Sequence, residues 1–110
     1  MNPTIEQYSV YWVDLNPTQG AEINKTRPCI IVSPLVMNQH LRTIIIAPIT
    51  NRSREGYPTR VKILMHEVTG WIVLDQLRAI DKTRLRKKIG DLSMEEILAV
   101  KNIIKEMLVD

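Results

Sequence analysis

The chain is poor in thiols: of 110 residues only Cys29 is a cysteine, so no intrachain disulfide can form. It stands in the apolar run Cys29-Ile30-Ile31-Val32, where a small buried hydrophobe and a reducing compartment are expected. Glycine is scarce too. Gly20, Gly56, Gly70 and Gly90 each stand alone, which excludes a phosphate-cradling loop and a dinucleotide fingerprint, so no nucleotide cofactor is expected. His40 and His66 are isolated from one another and from Cys29, with no H-E-x-x-H or C-x-x-C spacing, so no metal centre is expected. Neither histidine has a partner placed beside it for proton transfer. No stretch approaches the roughly 18 consecutive apolar residues of a membrane span. The start, Met1 to Glu6, lacks a basic segment leading into an apolar one. A cytoplasmic protein with no membrane contact is therefore expected.

What is present is an ordinary globular composition, 45% hydrophobic and 25% charged. At this length the chain reads as one domain, residues 1–110, whose short core makes a second copy a plausible cover for the remaining surface. The net charge of +3 is unevenly spread. Residues 42–88 hold eleven bases against four acids, whereas the flanking segments are acidic on balance. Such a block suits a polyanion through counterion release, although a solvated basic surface has the same composition.

Short segments rich in β-branched residues predict strands at 8–15, 29–33, 43–50, 60–65, 70–74 and 76–80, separated by turn-forming residues. Thr43 to Thr50 is apolar on both faces and should be the central strand, with a bulge or an edge at Pro48. Ser93 followed by Glu96 is a capping box, and Ile97, Val100, Ile104 and Met107 recur at helical spacing, so one amphipathic helix should close the chain over 93–109. The pattern predicts a mainly β, α+β fold: a small barrel with a C-terminal helix. Trp12 and Trp71 lie inside strands and are expected in the core.

Chemistry concentrates in the loop holding Glu22, Lys25 and Arg27, and at Thr50. Pro28 biases Arg27 toward an extended backbone, so the loop hands a guanidinium directly to a strand. A guanidinium grips phosphate bidentately and stays charged at neutral pH, and a threonine hydroxyl can donate to the same oxygens. The competing reading is an Arg27 paired with Glu22 or Asp75 and a Thr50 that merely ends a strand.

These residues resemble the MazF/PemK family of bacterial toxins. The resemblance runs through Tyr11 to Glu22, Lys25-Thr26-Arg27-Pro28, Ile44 to Thr50, Gly70, Asp75-Gln76 and Arg78 to Asp81, in the family's order and nearly throughout the chain. It implies an SH3-like β-barrel of the kind shared by CcdB, MazF and PemK. It also implies a homodimer, a cognate acidic antitoxin, and metal-independent endoribonuclease activity on single-stranded RNA. By the family's pattern Arg27 and Thr50 are catalytic, and Glu22 matches an acidic loop position. Some relatives carry an arginine two residues before the Asp-Gln pair; Val73 stands there in this chain.

RNA supplies its own nucleophile, so Arg27 on the phosphate oxygens, Thr50 orienting that phosphate and Glu22 on the 2′-hydroxyl proton would suffice. RNA contacts are expected from Lys25, Arg52, Arg54, Arg84, Arg86 and Lys87, with base reading by Asn24 and Gln76 and stacking on Tyr57. For Arg86-Lys87-Lys88 the alternative is a solvated turn before Ile89. Two other functions remain on this fold: a gyrase poison resembling CcdB, or an RNA-binding barrel without catalysis. The first expects a tryptophan near the C-terminus, whereas this sequence ends Met107-Leu108-Val109-Asp110.

Overall fold

The computed structural model describes residues 4–16, 20, 25–52 and 58–110. Seven strands follow in chain order: β1 Ser9–Asp14, β2 Thr26–Ile31, β3 Thr43–Thr50, β4 Arg60–Leu64, β5 Thr69–Val73, β6 Arg78–Asp81 and β7 Leu85–Asp91. A short helix α1, Leu35–His40, lies between β2 and β3, and α2, Met94–Leu108, closes the chain. All the pairings are antiparallel, in the order β4-β5-β3-β2-β1-β7, with β6 also against β3. Register shifts between β1 and β7 at Val10/Tyr11 and Tyr11/Val13 add twist, and the sheet curls into a half-barrel.

β3 is the hub, as its two apolar faces imply. One edge pairs with β2; the other pairs first with β6 over Thr43 to Ile46 and then with β5 over Ile49 and Thr50. Pro48 sits in register opposite Cys29, so the expected bulge takes another form: Pro48 falls between the last β6 pair and the first β5 pair, where its missing N–H costs little.

Side chains alternate between two cores. Val10, Ile30, Ala47 and Ile49 face one side with Val61, Ile63, Ile72 and Leu74, where Val100 of α2 is fully buried and Ile97, Ile103, Ile104 and Met107 pack alongside. Tyr11, Val13, Cys29, Ile31, Ile44 and Ile46 face the other with Leu15 and Ile80. The capping box forms as predicted: Glu96 N donates to Ser93 Oγ at 3.2 Å and Ser93 N to Glu96 Oε1 at 2.8 Å. The carboxylate also accepts Leu64 N at 3.0 Å, tying the end of β4 to the helix.

Three features depart from the sequence reading. α1 was not foreseen; its Asn38 is buried and takes Ser33 Oγ at 2.5 Å while donating to the carbonyls of Ile5 (2.9 Å) and Ser33 (3.0 Å). Residues 85–91 form an edge strand rather than a solvated turn. Its exposed Arg86, Lys87 and Lys88 break the apolar alternation, and charges of this kind keep an unpaired edge from recruiting further strands. Neither tryptophan is a core residue: Trp12 is 39% exposed, and Trp71 is half-buried with Lys62 Nζ 5.9 Å from its ring centroid.

Candidate functional site

A cleft opens where two ladders part. The β2–β3 pairing runs Ile31↔Ile46, Ile30↔Ala47, Cys29↔Pro48 and stops there. Beyond it Thr26 to Pro28 remain paired only to β1, while Ile49 and Thr50 turn to β5. A groove of about 370 Å³ occupies the gap. Its lining comes from β1 and β2, with Trp12, Lys25, Thr26, Arg27 and Pro28, and from β3 and the β4–β5 turn, with Ile49, Asn51, Glu67, Val68 and Thr69.

Arg27, at the half-paired end of β2, is among the residues that border this groove. Thr50, 8% exposed, does not line the groove, although its neighbours Ile49 and Asn51 do. Continuing the β2–β3 register two residues past its last pair sets Arg27 level with Thr50, and the alternation of a strand puts both side chains on the face of Cys29 and Ile46, with Trp12, Pro28 and Ile49 on the other. Thr50 Oγ1 accepts Arg52 N at 3.2 Å, leaving its hydroxyl proton for another acceptor.

Both residues are held by backbone. Lys25 adopts a left-handed conformation, φ 67°, and is clamped at each end: its N–H donates to Asn16 Oδ1 at 3.0 Å and its carbonyl accepts Leu15 N at 3.0 Å. Such strain persists only where the surroundings fix it, and here it aims the entry to β2. Gly70 lies against Thr50. A Cβ at Gly70 would sit 2.3 Å from the Thr50 carbonyl oxygen, so a side chain there would drive β5 away from the end of β3.

The expected site residues divide. Arg27 and Lys25 line the groove, and Thr50 does not. Arg52 is exposed beside it and reaches Thr50 through its backbone. Glu22, Asn24, Arg54 and Tyr57 lie outside the described residues. Gln76 ends the 3-10 turn Leu74–Gln76 and does not line the groove.

Arg84 and Arg86 act on β1. Arg84 Nη1 donates to the carbonyls of Asp14 (3.2 Å) and Asn16, while Arg86 donates to the Thr83 carbonyl at 2.9 Å and pairs with Asp14 at 3.5 Å. Lys87 is exposed on β7. Asp75, weighed as a partner for Arg27, instead accepts Thr59 Oγ1 at 2.8 Å beside Arg60 at 4.0 Å.

The basic block is therefore partly neutralised in place. Arg42, Arg60, Arg86 and Lys88 each meet a carboxylate, so fewer than its eleven bases offer charge to a ligand. Among the described residues no three His, Cys, Asp or Glu converge as a metal would require, and no helix is long and apolar enough to cross a membrane. Sequence reasoning missed Trp12, Asn51 and Glu67. Asn51 directly follows Thr50, and Trp12 faces Pro28 across the β1–β2 ladder, but nothing in the local pattern of Glu67 marks it.

The curled half-barrel with its closing helix is a fold shared with solved structures of other proteins. The structure superposes on MazF from Deinococcus radiodurans with a TM-score of 0.87 at 23% identity, covering 97% of this chain and 98% of that one. A mycobacterial endoribonuclease solved in complex with its cognate antitoxin matches at 0.79 and 21% identity over 94% and 93%. In sequence, the endoribonuclease MazF of Staphylococcus saprophyticus is 36% identical over 100 residues, 86% of this chain and 83% of that protein. Residues 6–108 match the model of the PemK-like, MazF-like toxins of type II toxin-antitoxin systems, and the chain belongs to that family.

Proposed function

We propose that this toxin is a metal-independent endoribonuclease that cuts single-stranded messenger RNA and so halts translation. The 2′-hydroxyl attacks the adjacent phosphorus, leaving a 2′,3′-cyclic phosphate and a 5′-hydroxyl. Arg27 neutralises the charge gathering on the phosphorane oxygens, the Thr50 hydroxyl donates to the same phosphate, and a carboxylate takes the 2′-hydroxyl proton, for which the resemblance names Glu22. What carries the reading is the register that sets Arg27 level with Thr50 on one face of the sheet, in a chain 36% identical to a named endoribonuclease.

The groove is taken as part of the path of the RNA strand. Lys25 and Asn51 line it beside a half-exposed Trp12, offering a cation, an amide and an aromatic face to phosphate and base. This reading keeps Arg52, Arg54, Tyr57, Asn24, Gln76 and Lys87 as further RNA contacts. Arg84 and Arg86 join it only if RNA competes with their carbonyl contacts. The working unit is a homodimer in the cytoplasm, silenced by an acidic antitoxin laid over the basic surface.

Purified protein incubated with a labelled single-stranded RNA in excess EDTA should yield fragments with 5′-hydroxyl ends. Arg27→Ala should lower turnover by about 10² to 10³ with the fold intact, and deoxyribose at the cut position should block scission. Full-speed cleavage by Arg27→Ala would overturn this assignment.

A further inference from the structure

We propose that Trp71 and Lys62 form a nucleotide subsite beside the reacting phosphate, with Trp71 stacking on the base next to the cut and Lys62 holding the phosphate beyond it. The inference rests on the RNA-cleaving reading above and adds the place where one base is gripped.

Register carries one row of side chains across the sheet. Thr50 pairs with Trp71, and Trp71 with Lys62, so the three lie side by side on β3, β5 and β4. Residues directly opposite in an antiparallel ladder share a face. The neighbouring row, Ile49, Ile72 and Val61, is packed into the core that α2 closes, which leaves Thr50, Trp71 and Lys62 on the reverse of the sheet. Arg27 lies level with Thr50 on that same face, on the other side of β3. Trp71 therefore stands one strand spacing from Thr50 and Lys62 two, about 5 and about 10 Å. Gly70 seats the row: with no Cβ it lets β5 close on the Thr50 carbonyl, which brings Trp71 to the side of Thr50.

The outer two members have no part in the core. Trp71 is half-buried and Lys62 exposed, and Lys62 Nζ lies 5.9 Å from the indole centroid. That separation is at the outer limit of a cation–π contact, so a base can take a ring face while the ammonium keeps its charge for a phosphate. Among the described residues Lys62 meets no carboxylate within ion-pair distance, whereas Arg42, Arg60, Arg86 and Lys88 each do.

An indole with a cation beside it answers the two repeating parts of a single strand, an open base face and a phosphate. With one phosphate on Arg27 and Thr50 and the next on Lys62, the base between them falls over β5, where Trp71 stands. The path stops there. β4 is the last strand of the sheet, and the cavity that Lys62 shares with α2 also carries Glu95, Glu96 and Glu106, which repel a polyanion. This side of the site thus holds a single nucleotide. Trp12 belongs to the groove on the other face, which Arg27 also borders, so the two stretches of RNA surface meet at the reacting phosphate.

The test uses the full chain and one short single-stranded RNA that wild type cuts. Binding is measured on an uncleavable form with deoxyribose at the cut, and on two versions of that form with an abasic sugar on one or the other side of the cut. Trp71→Leu should weaken binding of the uncleavable form by about 5- to 150-fold, the worth of one base–aromatic stack, and Trp71→Phe by less. In cleavage the loss should fall on KM with kcat nearly unchanged, since a stack made equally before and during reaction is uniform binding. One of the abasic forms should bind wild type as weakly as the complete form binds Trp71→Leu, and on that form Trp71→Leu should cost nothing more. Lys62→Gln should weaken binding and reduce the slope of log affinity against log salt by about 0.7.

Four results would overturn the subsite while leaving RNA cleavage standing. Wild-type affinity in Trp71→Leu would do so, as would abasic and Trp71→Leu losses that multiply instead of overlapping. A fall in kcat with binding unchanged would make Trp71 a support for Thr50, and loss of binding together with dissociation of a dimer into monomers would make this face a subunit contact. Wild-type protein that cuts no RNA would instead remove the parent reading and this inference with it. Should Trp71→Leu not fold, Trp71→Phe carries the abasic comparison, and an unchanged salt slope in the exposed Lys62→Gln overturns the proposal by itself.

Discussion

Gly70 is the position where a single methyl group should separate this architecture from a generic barrel. Its φ of +143° is a backbone conformation that side-chain-bearing residues rarely adopt. An added Cβ would meet the Thr50 carbonyl oxygen at 2.3 Å, the carbonyl carbon at 3.0 Å and Asn51 Cα at 3.3 Å. All three are backbone atoms, which cannot swing aside as a side chain would. The first contact is roughly 1 Å short of a comfortable separation, so β5 must shift or the end of β3 must.

The conformational strain costs about 1–3 kcal/mol and the overpacking about 1–3 kcal/mol more. Gly70→Ala should therefore lose roughly 2–6 kcal/mol of the 5–15 typical of a domain. Urea unfolding followed by far-UV circular dichroism measures it. Gly20→Ala is the control: Gly20 is also left-handed, φ +59°, but nothing lies within 4 Å of its Cβ position. It should cost only about 1–2 kcal/mol of left-handed strain. In protein that still folds, cleavage by Gly70→Ala should fall about 10²-fold, because the displaced atoms belong to Thr50. Equal stability losses for the two alanines, or full activity in Gly70→Ala, would refute the argument from close backbone approach.

Burial pushes the Cys29 thiol up to about 12, opposed only in part by the nearby Arg78 charge, so at pH 8 the native protein should resist Ellman's reagent and react fully once unfolded in urea. Stoichiometric reaction of the folded protein would contradict that. For Glu96, burial raises the carboxyl, but bonds from the backbone of Ser93 and Leu64 and from the Ser93 hydroxyl outweigh it and hold the group below its usual value. A lowered native value stabilises the fold above the unfolded-state titration and loses that contribution as pH falls through the native one. The advantage of wild type over Glu96→Gln should thus be at most about 1 kcal/mol near neutrality and vanish as pH falls through the lowered native titration; a pH-independent difference in unfolding midpoints would exclude this origin. Arg84 supports the carbonyl of Asn16, whose side chain holds Lys25 N, so Arg84→Ala should loosen the approach to Arg27 and lower kcat more than it raises KM for RNA. An unchanged kcat would confine Arg84 to phosphate binding.

Most of the fold was legible because the residues report their own environment. Ile44-Ile45-Ile46-Ala47 can be covered on both faces only in the middle of a sheet, and β3 spans the predicted Thr43–Thr50. Ser93 and Glu96 announce the start of α2 through a local contact three residues long. β7 was hidden because an edge strand is under selection to look unlike a strand: Arg86-Lys87-Lys88 protects the open edge by removing the apolar alternation that reveals strands elsewhere. α1 was hidden because its stability lies in Asn38, a polar residue whose partners Ile5 and Ser33 come from other segments. Trp12 looked like core because β1 is a strand, yet the β2–β3 ladder stops short and leaves it facing a cleft.

The candidate site was legible only as far as it is written on single segments. Arg27 before Pro28, and Thr50 at the end of an apolar strand, are local patterns with a chemical reason. The groove is a property of where one ladder ends and another begins, and no window of sequence contains that boundary. Glu67 belongs wholly to it. Forty residues separate it from Arg27 in the chain, and it faces the groove only because Val68 pins its turn and β5 joins β3 just where β2 has left it. The same boundary accounts for the placement of Gly70, since bringing β5 onto Thr50 requires a residue with no Cβ at the closest point. A cleft made this way is bordered by paired strands yet open between them, which suits the proposed reaction, in which the substrate would supply both nucleophile and leaving group and the protein would only hold charges in place.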